Sequence, residues 1–391
     1  MQSSNPIQPK GHTVSSISIR QITDNAGIKD FINVTREVYK DDPNWIQPLT
    51  MERMDALRPD KNPYYEHAEV ALWVAEQDGK LVGRISTQID SLAQEKWGPN
   101  LGHFGFFEAT TKEVADALLT NAQAWLAERG MKRMQGPWSF STAEEVGTLI
   151  DGFDTPPCVM MPHGRPEYDA WIKSHGLDKA KDMHAFRLDL TMPPPERAVR
   201  IVKMAEKNKR VTMRPIDMKN FNAEVATILD IYNEAWSENW GYVPFTEHEV
   251  EHGAKGLKPV VKPYRTYICE YDGEPVAFML TIPDVNHKIR DLDGKLFPFG
   301  IFKLMYRMMN GREDRCRVPL MGVRKKFQKG PLGAAMAMWM IRVSQQNVVD
   351  RGATFGELGW ILEDNDGMIS ILEEIGCEIY KTYRVYEKAI G

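Results

Sequence analysis

The chain has 391 residues, 42% hydrophobic and 26% charged, with a formal net charge of −5. That length predicts two to three domains with ample core, the composition is that of a soluble globular protein, and the acidic balance argues against a dedicated nucleic-acid binder. The four cysteines, Cys158, Cys269, Cys316 and Cys377, have no CxxC spacing and read as reduced thiols, neither zinc ligands nor a disulfide frame.

The opening MQSSNPIQPKGHTVSS has no apolar signal core, and the longest uncharged apolar run, Pro331–Ile341, is too short to span a bilayer, so a cytoplasmic protein is expected. The first unit begins with Ser18-Ile-Arg20-Gln-Ile22. Further on, Glu76-Gln-Asp78-Gly79-Lys-Leu-Val82-Gly83 reads as a hairpin, because Asp-Gly lies between alternating apolar runs. Both features recur 194 positions later, as Thr212-Met-Arg214-Pro-Ile216 and Glu270-Tyr-Asp272-Gly273-Glu-Pro-Val276-Ala277. Arg129-Gly130 and Trp138 recur as Arg351-Gly352 and Trp360, now 222 positions on. Two constant offsets predict a tandem duplication, with 28 extra residues in the second copy between Ile282 and Leu320. Each copy reads strand, one or two helices, hairpin, strand, helix, strand, an α/β unit with a mixed, mainly antiparallel sheet flanked by helices. Met192-Pro-Pro-Pro195 reads as the linker, which sets the halves at 1–192 and 193–391, with an insertion at about 283–317 and a helix pattern over Pro195–Lys209.

Two segments stand apart from this repeat. Gly136–His163 is too rich in Gly and Pro for a long helix, and its carboxylates alternate with aromatic and apolar residues. It suits a pocket for an amphipathic amine, with Glu144 and Asp151 as candidate contacts; a well-packed connector is the competing reading. Trp240 and Tyr242 are aromatic candidates for the same substrate. The insertion carries Pro283-Asp284-Val-Asn286-His287, then Leu296–Met309 with four aromatics and three Met interrupted by single basic residues, then Arg312, Arg315 and Arg317. Met and aromatic surfaces adapt to chains of varied shape, and the cations could meet lipid headgroups or nucleotide phosphates. Asn286, Phe297 and Phe299 are its candidate contacts, with a plain core stripe as the alternative.

The most specific motif follows at Gly322-Val-Arg-Lys-Lys-Phe-Gln328-Lys-Gly330-Pro-Leu-Gly333-Ala334. A strand ends at Val323, a basic glycine-bearing loop follows, and a helix begins. Unpaired N–H groups at a helix start suit a pyrophosphate. The spacing is neither a Walker loop nor GxGxxG. Downstream come a strand ending in Asn365, a helix ending in Gly376, and an alternating strand Tyr380–Tyr386. This order resembles the acyl-CoA-binding half of a GCN5-related N-acyltransferase. The resemblance implies that Val323, Gln328, Lys329, Gly330, Leu332, Gly333 and Ala334 hold acyl-CoA as co-substrate. Pro331 stands where the first family glycine is expected and lacks an N–H, so either one phosphate donor is missing or Gly330 supplies it from a shifted turn. The first copy's counterpart, Phe106–Thr111, has no glycine and places Glu108 where it would repel phosphate. One acyl-CoA site per chain is therefore expected, in the second half.

With the segments GPWSFSTAEEVGTLIDGFDTPP, Pro-Asp-Val-Asn, Gly-Lys-Leu-Phe-Pro-Phe-Gly and Tyr-Arg-Val-Tyr-Glu-Lys, the resemblance narrows to bacterial ceramide synthases and their relatives. It implies N-acylation of a sphingoid base such as 3-oxosphinganine, without metal, by a cytoplasmic enzyme at the inner membrane surface. Direct attack of an amine on a thioester needs a proton acceptor, a donor for the oxyanion and a proton for the leaving thiolate. Glu357 is one candidate base and Asp284 the other, while Asn365 is placed to donate to the pantetheine arm. Each has a structural rival: a strand residue, a turn former and a helix N-cap. Many family members carry a Tyr as the acid where this chain has Leu372. Tyr380 and Tyr383 are the nearest phenols, with His163, His248 and His287 as substitutes. Two other functions fit the loop, an N-acetyltransferase for a small polar amine or peptide and a non-catalytic acyl-CoA-binding protein. A nucleotide pyrophosphohydrolase does not fit, because Ser370-Ile371 stand where Leu372-Glu-Glu-Ile-Gly would need an upstream Arg-Glu.

Overall fold

The computed structural model describes residues 16–142, 144–310 and 313–391; most of the N-terminal stretch considered above, and Arg312, lie outside them. The first half contains β1 (Ser18–Ile22), α1 (Asn25–Val38), α2 (Thr50–Ala56), β2 (Ala68–Gln77), β3 (Lys80–Asp90), α3 (Ser91–Trp97), β4 (Leu101–Ala109) and α4 (Lys112–Glu128). It continues through β5 (Arg133–Gly136), β6 (Thr148–Asp151), α5 (Tyr168–Ser174) and β7 (Asp178–Asp189). The second half contains α6 (Glu196–Lys207), β8 (Val211–Pro215), α7 (Phe221–Trp236), α8 (Glu247–Leu257), β9 (Thr266–Tyr271), β10 (Glu274–Pro283), α9 (Val285–Ile289) and α10 (Gly300–Asn310). After these come β11 (Arg315–Val323), α11 (Lys325–Gln328), α12 (Pro331–Val349), β12 (Phe355–Leu362), α13 (Asp366–Glu374) and β13 (Glu378–Ala389).

The Asp-Gly turns close both hairpins as their chemistry requires. Asp78 and Gly79 have φ of 51° and 72°, and Asp272 and Gly273 have 53° and 83°, the left-handed pair of a tight antiparallel turn. The strands form one sheet in the order β1-β2-β3-β4-β5-β13-β7-β12-β11-β10-β9-β8, with β6 added alongside β13. The order reads the same from either end when each strand is exchanged for its counterpart in the other copy. The copies also trade their last strands. β7 pairs with β12, and β13 pairs with β5, while β7 and β13 lie side by side in the middle. A division at residue 192 therefore leaves each half with a strand seated in the other.

Side-chain alternation places helices on both faces of the second half. Phe278, Leu280 and Ile282 of β10 pack on the side of α7, whereas Ala277 and Met279 join the core under α12. The strand offsets correct the expected insertion. β3 and β10 start at residues 80 and 274, β4 and β11 at 101 and 315, and β5 and β12 at 133 and 355. The offset thus grows from 194 to 214 across α9 and α10, to 219 across the basic loop, where α4 and α12 start at 112 and 331, and to 222 by β5 and β12. At β7 and β13, which start at 178 and 378, it falls back to 200, because the first half has its own long excursion at 137–177.

Candidate active site

The site begins where a parallel strand pair comes apart. β11 and β12 pair from Arg315–Phe355 to Val318–Leu358 and no further. The next residue is Pro319, which has no N–H for a neighbouring strand. Beyond it the strand ends diverge around a cleft of ≈ 740 Å³. Its walls are Val318, Pro319 and Met321–Val323 of β11, Leu358–Leu362, the loop residues Gln328–Gly330, Gly333 and Ala334, the start of α13 at Asn365 and the α7–α8 connection at Trp240.

The loop is built for close approach. A Cβ on Gly333 would come 2.2 Å from the Phe327 carbonyl oxygen, so only glycine fits there. The Gln328 amide donates back to the Val323 carbonyl at 2.8 Å and tightens the turn. The Gly330 N–H donates to Phe327 O at 3.1 Å, so of the two alternatives for Pro331 it is the missing donor that the structure favours. The N–H groups of Leu332 and Gly333 remain as first-turn donors of α12. The Leu332 side chain packs against the core, whereas Lys329 and Ala334 line the cleft. Arg324, Lys325 and Lys326 are engaged by carboxylates. Among the described residues Lys329 is the exposed loop cation that forms no close ion pair, although it lies within the field of Glu238.

The corresponding position in the first half is closed, for a reason other than the expected repulsion by Glu108. That carboxylate points inward from β4, accepts from Tyr39 and Tyr168 at 2.6 and 2.9 Å, and burial raises it to about 7. The glycine-bearing loop has no counterpart here: only Thr110 and Thr111 join β4 to α4, and the Thr111 hydroxyl caps the helix itself.

Behind the apex of the fork lies a buried polar cluster. Glu357 of β12 is fully buried, 3.0 Å from the Arg317 guanidinium, and accepts from the Tyr380 phenol. Burial raises the Glu357 carboxyl above its ordinary range, against the opposing charge of Arg317. Burial and then the Glu357 charge raise the Tyr380 phenol, so it stays protonated. Arg317 also donates to the carbonyls of Val159, at 2.7 Å, and Gly359, at 2.9 Å; Gly359 lines the cleft, so Arg317 connects the cluster to it.

Asp284 joins the same cluster. It contacts Arg315 at 3.2 Å and accepts from the Val159 N–H at 3.0 Å. Cys158 lies between the two carboxylates, and burial pushes its thiol far up, so it is no thiolate nucleophile. Lys381, fully buried and depressed to about 8 by burial, donates to the carbonyls of Gly152 and Thr155. Its signal in the sequence was a lone cation facing inward on an otherwise apolar strand side with Tyr383 and Val385. The two segments singled out for function thus meet here, and the Asn286 amide donates to Pro157 O at 3.2 Å across the seam.

Other candidates are scattered. Asn365 lines the cleft, but its side-chain oxygen caps α13 by accepting from Met368 N–H at 3.1 Å. Tyr242 is buried and donates to Asn233 at 2.8 Å. Glu144 lies beside Arg53, and burial lifts it to about 7; Asp151 is exposed at the end of β6. Phe297 and Phe299 face solvent. Tyr383 is fully buried, His163 is held by Asp42 at 2.7 Å, His248 by Glu66 at 2.9 Å, and His287 is exposed on α9. Among the described residues no three His, Cys, Asp or Glu side chains gather as metal ligands would, and no helix is long and apolar enough to cross a membrane.

No protein-family model matches the chain. It is 41% identical over 384 residues to the bacterial ceramide synthase of Caulobacter vibrioides, covering 98% of this chain and 100% of that one. It is 42% identical over 376 residues to protein YghO of Escherichia coli, covering 95% of each. Among solved structures it matches a tandem GNAT protein from the clavulanic acid biosynthesis pathway, with a TM-score of 0.59 at 11% identity over 96% of this chain and 99% of that one. It also matches a GCN5-related N-acetyltransferase from Sphaerobacter thermophilus, with a TM-score of 0.53 at 12% identity over 95% of each chain. A tandem fold with one open strand fork and kinship along nearly its whole length place the chain in the family of the Caulobacter ceramide synthase and YghO, as an N-acyltransferase of the tandem GCN5-related type.

Proposed function

We propose that this protein transfers the acyl group of an acyl-CoA to the amine of a long-chain sphingoid base such as 3-oxosphinganine, in the cytoplasm at the inner membrane surface. The observation that carries the reading is the single open fork, whose glycine-bearing helix start faces a cleft walled by Trp236, Trp240, Met321, Trp360 and Leu362. The first-turn N–H groups of Leu332 and Gly333, with Lys329, take the pyrophosphate. Asn365 lies along the pantetheine arm. The neutral amine attacks the thioester carbon, a C–N bond forms and the C–S bond breaks. Glu357 accepts the amine proton through Tyr380, and the same phenol returns a proton to the thiolate. Asp284 holds the seam over this cluster. Trp240 contacts the acceptor, while Glu144, Asp151, Asn286 and Tyr242 shape and support its approach. The degenerate first half, 1–192, supports the acyl-CoA-binding second half, 193–391.

The test pairs acetyl-CoA or palmitoyl-CoA with 3-oxosphinganine, sphinganine or a polar amine, following thiol release and identifying products by mass spectrometry. Palmitoyl-CoA-dependent amide formation on a sphingoid base is the expected result. Turnover confined to acetyl-CoA and polar amines would overturn it.

A further inference from the structure

The strongest surface feature outside the cleft is the insertion. Among the described residues, six of the ten exposed large apolar side chains fall between 297 and 309. Phe302, Met305, Tyr306 and Met309 are 51–77% exposed and recur at three- and four-residue spacing, so they share the outward face of α10. Phe297 and Phe299 extend that face beyond the helix start. The inward face is satisfied: Ile301 and Leu304 pack with Ile289, Leu292 and Leu296 and with Ile46 and Leu49 of the first half. The exposed ridge is thus an apolar surface on a well-anchored element and not the loose side of a poorly packed helix. Continuous exposed apolar surface of this size marks an interaction site.

We infer that the outward face of α10, with Phe297 and Phe299, docks on the surface of an anionic lipid bilayer. Charge selects this occupant. Residues 285–310 carry Lys288, Arg290, Lys295, Lys303 and Arg307 against Asp291 and Asp293, a net charge of +3 in a chain whose total is −5. Lys303 and Arg307 share Asp291, which holds them beside the apolar ridge at headgroup height. Phe and Tyr rings flanked by cations are the composition of a helix lying in the interface. With 11 residues, α10 extends only about 16 Å and cannot span the hydrocarbon, so it lies in the plane of the membrane. The same insertion starts at Asp284 and Asn286, which close over the polar cluster, so docking brings the membrane to the acceptor side of the site. The inference rests on the proposed function only for the identity of the amine; the docking surface stands without it.

Flotation with phosphatidylcholine vesicles containing or lacking phosphatidylglycerol tests it. Wild-type protein is expected to float with the anionic vesicles, less so at high salt. The double substitution Phe302→Glu and Met309→Glu is expected to weaken this binding about tenfold or more. CoA binding by calorimetry verifies that the variant is folded, since these side chains already face water. Wild-type protein that stays in solution, or a variant that floats as well as the parent, would overturn the inference. So would a concentration-dependent dimer in sedimentation that the same substitutions dissolve, because the ridge would then serve a second copy of the chain. Flotation needs no turnover, so a protein that floats but acylates no sphingoid base would sink the functional reading alone.

Discussion

The two parallel strand pairs, β4–β5 and β11–β12, start alike and end differently. Both pair for only a few residues, β4–β5 as far as His103–Gln135 and β11–β12 as far as Val318–Leu358. In the first half the chain after β5 then folds into the gap. The Trp138 N–H donates to Phe104 O at 2.7 Å, and the Phe106 N–H to the Ser139 hydroxyl at 3.2 Å. Glycine at 105 permits this, since a Cβ there would meet Trp138 O at 1.8 Å. In the second half β12 runs on with its other edge still paired to β7, through Ile361–His184 and Leu362–Met183, and the fork stays open. A strand borrowed from the first half therefore backs one wall of the second half's cleft. The first half also supplies the 137–163 excursion that covers the polar cluster. The degenerate copy is a structural part of the site and not a spare domain.

Substitutions can break or sharpen this contrast. The largest effect is expected from Glu357→Gln, which should lower the rate of acyl transfer about 10²- to 10⁴-fold while leaving CoA affinity unchanged. Because burial raises this carboxyl, the wild-type rate should climb with pH as Glu357 loses its proton, and the variant's thiol-release profile should lack that limb. Next, Gly333→Val drives a side chain into the Phe327 carbonyl and should weaken CoA binding by about ten- to a hundredfold in calorimetry, roughly 1.4–2.8 kcal/mol. The counterpart change in the closed fork, Thr111→Val, should leave CoA binding intact and cost about 1 kcal/mol of stability in denaturant titration, because it removes only a helix cap.

Asp284→Asn separates the two carboxylates. It leaves Arg315 with a weakened buried partner and should destabilise the fold by about 1–3 kcal/mol, with less than about a tenfold fall in rate. A rate loss matching that of Glu357→Gln would transfer the base to Asp284.

The smallest effect concerns the seam between the halves. His67 contacts Asp90 at 3.0 Å and Glu249 of α8 at 3.2 Å. Burial pulls its imidazolium down, but the two carboxylates outweigh this and hold it at about 9. A folded value above the unfolded one of about 6.5 means that the contribution is complete below pH 6.5 and lost as pH rises through 9. The melting temperature should therefore fall across that window, and His67→Asn should flatten the fall.

Local chemistry was legible wherever neighbours in sequence are neighbours in space. The two Asp-Gly turns, the strand end at Val323 and the glycine-bearing helix start at Gly333 follow from backbone rules that act over a few residues. The duplication was legible too, because its copies kept their spacing through the hairpins. Kinship with acyltransferases rested on such local signals in fixed order.

Tertiary structure alone decided the rest, because those facts depend on contacts between residues far apart in the chain. No local pattern says that β7 and β13 change places, since a strand's alternation does not name its partner. The meeting of Cys158, Asp284, Arg317, Glu357 and Tyr380 depends on that exchange and on two excursions from different copies. The fate of each hydrogen-bonding group is equally non-local: the Gly330 N–H is taken by Phe327, Asn365 caps its helix, and Glu108 turns inward to two tyrosines. Residue type announced what each could do; packing chose which of those options it took.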